Sequence, residues 1–121
     1  MIKLTVDEAF AFDFLSILEV KKLYGMDVEN LLELYKTEIS NQIGIDFFKE
    51  IHSSVEYSEL LNHNKKTFDA VDKAKTDEVK ASYVDECNYR RSLSKKKIQE
   101  KYFNNKLTEL KHGYEKLKLD E

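Results

Sequence analysis

The sequence predicts an all-α protein, a helical bundle of four to six helices, and three observations lead to this fold class. The chain of 121 residues has no proline and only three glycines, fewer turn residues than a sheet protein needs. It is rich in leucine, lysine and glutamate, which favour helices. Apolar residues also recur at three- and four-residue steps along most of the chain. At this length we expect a single helical domain, residues 1–121, whose core needs no disulfide or metal.

The first helix is the most apolar one, and we expect it at the centre of the bundle. Thr5 and Glu8 have the spacing of a capping box, which predicts a helix from Val6 that stops near Gly25. Apolar residues lie on nearly all sides of this helix, so neighbouring helices should cover several of its sides. Asp13 lies among these apolar residues. A buried carboxylate must find a cation or several hydrogen-bond donors, or else stay neutral.

The next part of the chain predicts two helices separated by a glycine. Asp27 can cap the second helix, whose apolar stripe continues as far as Ile43. Gly44 then interrupts the pattern, and a short third helix is expected to carry Ile45 and Ile51. Because only a short turn separates the first two helices, we expect them to pack antiparallel.

Two more helical stretches are predicted before the C-terminal segment. Ser53 and Ser54 can cap a short helix, which we expect to weaken at residues 62–64, where the sequence reads Asn-His-Asn. Thr76 begins a long helical pattern, which the two asparagines at residues 104–105 can break. Cys87 lies on the apolar stripe of this long helix and is expected to be a small core residue.

Polar side chains interrupt the apolar stripe of the long helix, and we expect them to meet Asp13. Asn88, Arg91 and Lys95 share one face of the helix because they are three and four residues apart. An arginine can hold a carboxylate by two parallel hydrogen bonds. We therefore predict that the Asp13 carboxylate lies within hydrogen-bonding reach of Arg91 or Asn88.

Ser16 and Glu19 on the first helix can extend this polar network. Two interpretations of such a network are open at this point. A buried network can simply fix how helices are registered against one another. Alternatively, a cluster of perturbed polar groups can line a ligand pocket.

The segment DFLSILEVKK, residues 13–22, resembles the D-K-[IL]-[ST]-I-L-E-[IL]-K signature of a family of uncharacterised bacterial and phage proteins. Residues 109–114 are similar to the end of that family, and Phe14 replaces the signature lysine. Further matches follow in the family's order at Asn64, Phe68, Asp72, Val84, Asn88, Arg91 and Ile98. The family has no established activity, so the resemblance implies relatives rather than a reaction. The resemblance and the shared helix face together make these residues candidates for ligand binding: Asp13, Glu19, Lys21, Asn88, Arg91 and Lys95.

Two pairs of acids support an enzyme alternative, a magnesium-dependent all-α nucleotide pyrophosphohydrolase. Glu56 and Glu59, like Asp69 and Asp72, are three residues apart on helical segments. Facing helices that carry such pairs can bind magnesium. In a chain with 23 acids such pairs also arise by chance. The three histidines lack metal-ligand spacing, and the main interpretation therefore includes no metal and no cofactor.

A heptad seam near the C-terminus predicts either closure of the bundle or pairing with a second copy of the chain. Its apolar residues alternate at four- and three-residue steps: Phe103, Leu107, Leu110, Tyr114 and Leu117.

The net charge of −3 argues against a dedicated nucleic-acid binder. No apolar run reaches membrane-spanning length, and the N-terminus does not resemble a signal peptide. With a single cysteine, the chain fits a reducing compartment, and we expect a cytoplasmic protein.

The sequence thus predicts a non-catalytic binding or assembly protein. The alternatives are the magnesium enzyme and a binder of a small anionic ligand held by Arg91, Asn88 and Lys95.

Overall fold

The structure is a computed structural model that describes residues 2–104, and it confirms the all-α fold. Its helices are α1 (Glu8–Leu23), α2 (Glu29–Ile43), α3 (Ile45–His52), α4 (Val55–Lys75) and α5 (Ala81–Phe103). The most extensive packing is between α4 and α5, while α1 packs against α2, α4 and α5. In the described part of the chain, no helix is both long enough and apolar enough to cross a membrane.

The position of α1 agrees with its apolar composition, because three other helices cover it. Its deepest apolar side chains are those of Ala9, Phe12 and Leu15, which have no exposed surface. The other helices add further buried apolar residues to the same core: Leu32, Phe48, Ile51, Tyr57, Leu60 and Ile98. Val6 and Tyr24, apolar residues just outside the two ends of α1, stay exposed. Because apolar residues surround α1, their spacing alone could not decide which side faces the core.

The start of α1 shows that the predicted capping box is wrong. The helix begins at Glu8 rather than Val6, and Asp7 in the N-cap position makes no side-chain capping bond. Gln99 on α5 supplies the missing partner instead. Its Oε1 accepts a hydrogen bond from the Ala9 N–H at 2.8 Å, and its Nε2 donates to Glu8 Oε2 at 2.7 Å. The buried Gln99 side chain, 90 residues further along the chain, therefore accepts the hydrogen bond of the Ala9 N–H. In most helices a side chain at the N-cap position does this.

The break between α2 and α3 falls at Gly44, as predicted. Gly44 has a φ of 95°, a conformation that glycine adopts without steric penalty. The predicted cap of α2 is wrong, because the helix begins at Glu29 and Val28 rather than Asp27 holds the N-cap position.

The fourth helix is much longer than predicted. Ser54 caps it, since its hydroxyl oxygen accepts a hydrogen bond from the Tyr57 N–H at 3.1 Å. The helix then continues for 21 residues, and residues 62–64 do not interrupt it. Asn64 is buried within this stretch, so its side chain takes part in tertiary contacts instead of breaking the helix. Thr76 ends α4 rather than starting the next helix.

The fifth helix ends at Phe103, and Asn104 follows in the left-handed conformation with φ 57°. Asparagine tolerates this conformation better than most residues, so the predicted break at residue 104 is confirmed. The Phe103 ring lies 6.5 Å from the Phe12 ring and 5.5 Å from the Phe47 ring, measured between centroids. The rest of the heptad seam, Leu107, Leu110, Tyr114 and Leu117, lies outside the described residues.

We expect Gln99→Met to destabilise the fold by about 1–3 kcal/mol, because it removes the acceptor of the buried Ala9 N–H and leaves that donor unsatisfied. Urea unfolding followed by circular dichroism measures this loss. Gln42→Met is the matched control, since Gln42 is exposed and its replacement should change stability by less than about 0.5 kcal/mol. Equal stability of the Gln99 and Gln42 variants would contradict the capping role.

Candidate functional site

A buried ion pair between α1 and α5 is the centre of the candidate site. Asp13 is 3% exposed. Arg91 donates from Nε to Asp13 Oδ1 at 3.1 Å and from Nη2 to Asp13 Oδ2 at 2.7 Å. This is the two-bonded arrangement in which a planar guanidinium matches a carboxylate. The prediction that the Asp13 carboxylate lies within hydrogen-bonding reach of Arg91 is confirmed.

The two other polar residues of the same α5 face also turn towards this pair. Arg91 Nη1 donates to Asn88 Oδ1 at 3.3 Å, which orients the guanidinium from its other side. The buried Lys95 places its Nζ 3.9 Å from Asp13 Oδ2 and 5.1 Å from the centre of the Phe10 ring. A cation over an aromatic ring is favourable when water is excluded. The spacing of these residues therefore predicted correctly which face of α5 meets α1.

Asn64 on α4 is a member of this network that spacing arguments missed. Its Nδ2 donates to Asp13 Oδ1 at 3.0 Å and to Ser16 Oγ at 2.5 Å, and Ser16 Oγ donates to the Asp13 backbone carbonyl at 2.8 Å. A carboxylate only accepts hydrogen bonds, so the amide nitrogen of Asn64 must be the atom that faces it. The missed signal was the position of Asn64 four residues after Leu60 and four before Phe68, on the buried face of α4.

The structure places two other candidate residues away from Asp13. Glu19 does not extend the network, because its Oε1 lies 2.7 Å from His52 Nε2 on α3. Six residues at 3.6 residues per turn carry Glu19 round to another side of α1. Lys21 is eight residues from Asp13, about 12 Å along the helix axis, and no contact within residues 2–104 joins it to the network.

Tyr57 on α4 lies in the core beside the Glu19–His52 pair, and its ring centroid is 4.9 Å from that of His52. Burial raises the pKa of the Tyr57 hydroxyl far above its ordinary value, and the negative charge of Glu19 adds to the shift. This hydroxyl therefore stays protonated at neutral pH, and it is unsuited to act as a base.

A groove with a volume of about 240 Å³ opens beside the network, between α1 and α4, and we call it the Asn64 groove. Arg91 and Asn64 form part of its wall, so the network reaches from the core to this surface. Drug-sized ligands usually occupy roughly 300–1,000 Å³, so this groove suits a smaller molecule. Its other lining residues are Ile17, Val20, Thr67, Phe68, Val71, Asp72 and Lys75.

The four acids of the magnesium alternative do not converge on one point. Glu56 and Glu59 lie near the start of α4, whereas Asp69 and Asp72 lie near its end. Thirteen residues of continuous helix separate the two pairs by about 20 Å. Glu56 pairs with Lys101, whose hydrogen bond lowers the pKa of the Glu56 carboxyl. Among the described residues, no group of three or more His, Cys, Asp or Glu side chains is placed to hold a metal ion.

Comparison with known proteins does not supply a family for this chain. No family model, curated protein or solved structure matches it. Its function must therefore be inferred from its own residues and their contacts.

We expect Asp13→Ala to lower the free energy of unfolding by about 3–5 kcal/mol, because it leaves the charge of Arg91 without its partner inside the bundle. Urea unfolding of the full chain measures the loss. Asp85→Ala is the control, since Asp85 is an exposed acid on α5. Adding Arg91→Met to Asp13→Ala should restore part of the stability, because the unpaired charge is removed as well. A loss below about 1 kcal/mol for Asp13→Ala alone would show that the pair does not hold the helices together.

Proposed function

We propose that the chain is a non-catalytic binding or assembly protein whose copies associate through the C-terminal seam. This seam comprises the heptad residues Phe103, Leu107, Leu110, Tyr114 and Leu117. The observation that carries the proposal is a partly apolar groove lined by Phe12, whose ring lies near that of the first seam residue, Phe103.

The groove has a volume of about 410 Å³, and we call it the N-terminal groove. Its lining includes the polar or charged residues Lys3, Thr5, Asp7, Glu8 and Gln42. Phe12 lines the groove, and its ring lies 6.5 Å from that of the first seam residue, Phe103. Leu4, another lining residue, is 77% exposed. The remaining apolar lining residues are Val6, Ala11, Ile39 and Ile43. Exposed apolar surface of this kind often marks a protein–protein contact, and the seam offers apolar side chains to cover it.

The Asp13 network supports a structural role within this assembly protein. Asp13 on α1 receives hydrogen bonds from Asn64 on α4 and from Arg91 on α5. Such a network favours one relative position of three helices over others. The anionic-ligand alternative has less support, because the Asp13 carboxylate already accepts two hydrogen bonds from Arg91 and lies 3.9 Å from Lys95 Nζ, so both cations face an anion of the chain itself.

The proposal also includes relatives and a location. The resemblance to the uncharacterised bacterial and phage family is supported by the motif residues Asp13, Asn64, Asn88 and Arg91, since all four belong to one network. A cytoplasmic location is supported by the buried free thiol of Cys87, because reducing compartments keep thiols free.

The assembly proposal predicts that the wild-type chain is a dimer and that Leu110→Glu is a monomer. A carboxylate placed in an apolar contact costs several kcal/mol, so association should weaken by more than about 100-fold. Sedimentation equilibrium over a range of concentrations measures the mass. Thr108→Glu is the matched control, because it adds the same charge at a position outside the seam.

Two outcomes of this experiment would overturn the assembly proposal. The first is a wild-type chain that stays monomeric at every concentration. The second is a Leu110→Glu variant with unchanged mass and lowered thermal stability, which would show that the seam closes its own bundle.

A further inference from the structure

Residues 2–6, which read Ile-Lys-Leu-Thr-Val, precede α1 as an exposed stretch that we call the 2–6 segment. The segment contains no helix, turn or bend, and none of its residues has a positive φ. Within residues 2–104, no backbone–backbone hydrogen bond joins it to another part of the chain. Its peptide N–H and C=O groups are therefore open to pairing with another strand.

The side chains of the 2–6 segment alternate in polarity with a period of two. Ile2, Leu4 and Val6 are 87%, 77% and 45% exposed, and Lys3 and Thr5 lie between them. Alternate residues of an extended chain point to the same side, so the three apolar side chains share one face. Exposed apolar side chains on a stretch with unpaired backbone groups favour the addition of a second strand.

The same alternation identifies a second copy of the segment, in antiparallel orientation, as a matching partner. With a two-fold axis at Leu4, the two Leu4 side chains lie opposite each other, and Ile2 of each copy lies opposite Val6 of the other. All apolar pairs then fall on one face, while Lys3 lies opposite Thr5 on the other face. Such a symmetric contact is self-complementary and closes after two copies.

Other arrangements of the same two segments are less favourable. A two-fold axis at Lys3, or a parallel pair in register, would place two lysines next to each other. An axis at Thr5 would extend the pairing to Asp7, whose carbonyl oxygen already accepts a hydrogen bond from the Phe10 N–H at 3.0 Å. The axis at Leu4 needs only the backbone groups of residues 2–6.

The N-terminal groove supplies apolar surface on which the paired segments can rest. Leu4 and Val6 line this groove together with Ile39 and Ile43 of α2. A pair of strands alone is marginally stable in water, so its apolar face needs such a cover. Because each copy contributes one groove, the pair can be covered at both of its ends.

We propose that the 2–6 segments of two copies pair as an antiparallel ribbon centred on Leu4. Lys3 and Thr5 of opposite copies exchange backbone N–H···O bonds, and the two Leu4 residues form the closer, non-hydrogen-bonded pair. This inference rests on the self-association of the assembly proposal and adds a contact outside the C-terminal seam. The two contacts can be tested separately, because no residue belongs to both.

Oxidative cross-linking of the full-length Leu4→Cys variant tests the position of the axis. Opposite residues of an antiparallel pair lie within reach of a disulfide, whereas the two copies of Thr5 are about 8 Å apart in this register. We expect Leu4→Cys at micromolar concentration to form covalent dimers at least about tenfold faster than the control Thr5→Cys. Electrophoresis without reductant measures both rates. The wild-type chain should stay unlinked, because its Cys87 is buried.

The Thr5→Pro variant tests the backbone pairing. Proline has no N–H, so the symmetric pair loses two hydrogen bonds, and the dimer should become at least about tenfold weaker. Thr5→Val is the matched control, because it keeps the N–H and a β-branched side chain and should associate as the wild type does. Sedimentation equilibrium measures association. Circular dichroism should show unchanged helices in both variants, since residue 5 lies outside every helix.

Three results would overturn the ribbon. The first is a wild-type chain that stays monomeric at every concentration, which would also overturn the assembly proposal. The second is a dimer that Leu110→Glu dissociates and Thr5→Pro leaves unchanged, which would leave the seam as the contact. The third is equal cross-linking of Leu4→Cys and Thr5→Cys. A dimer that persists in Leu110→Glu and is weakened by Thr5→Pro would instead support the ribbon and reject the seam.

Discussion

The ion pair between Asp13 and Arg91 is the constraint on which the rest of this bundle depends. A carboxylate at a 3% exposed position of α1 has lost nearly all of its water, so the chain must replace that solvation. The guanidinium of Arg91 and the amide of Asn64 do so. These donors lie on α5 and α4, so the need of one side chain fixes the relative positions of three helices. Breaking such a pair is more costly than the pair itself is stabilising, which favours a single arrangement of the helices.

Polar residues of α5 contact α1 along the whole length of the interface between the two helices. Asn88, Arg91, Lys95 and Gln99 recur at steps of three and four residues, so they form one polar stripe on α5. Lys95 and Gln99 of this stripe are buried. Arg91 reaches the middle of α1, and Gln99 closes its N-terminal end at the Ala9 N–H. The two helices are thus matched by directed hydrogen bonds as well as by apolar area, and directed bonds specify register more sharply.

The network also reaches a groove at the surface of the bundle. Its amide nitrogen and guanidinium are turned inwards to Asp13, and Asn64 and Arg91 also line the groove beside α4. The N-terminal groove lies elsewhere, beside Phe12 and the end of α5. The two grooves share no lining residue, so they are separate surfaces.

The sequence by itself determined the fold class, the break at Gly44, the end of α5 at Asn104 and the approach of Arg91 to Asp13. These features depend on local backbone preferences or on a buried charge that must be neutralised, and both can be read from residue types and spacing. Only the tertiary structure decided how α1 is capped, how far α4 extends and where the side chain of Asn64 points. In each of these cases a polar group of one helix is hydrogen-bonded by a residue far away in the sequence: Gln99 bonds the Ala9 N–H, and Asp13 and Ser16 bond the Asn64 amide. Local sequence patterns carry no information about which distant residue will lie next to such a group.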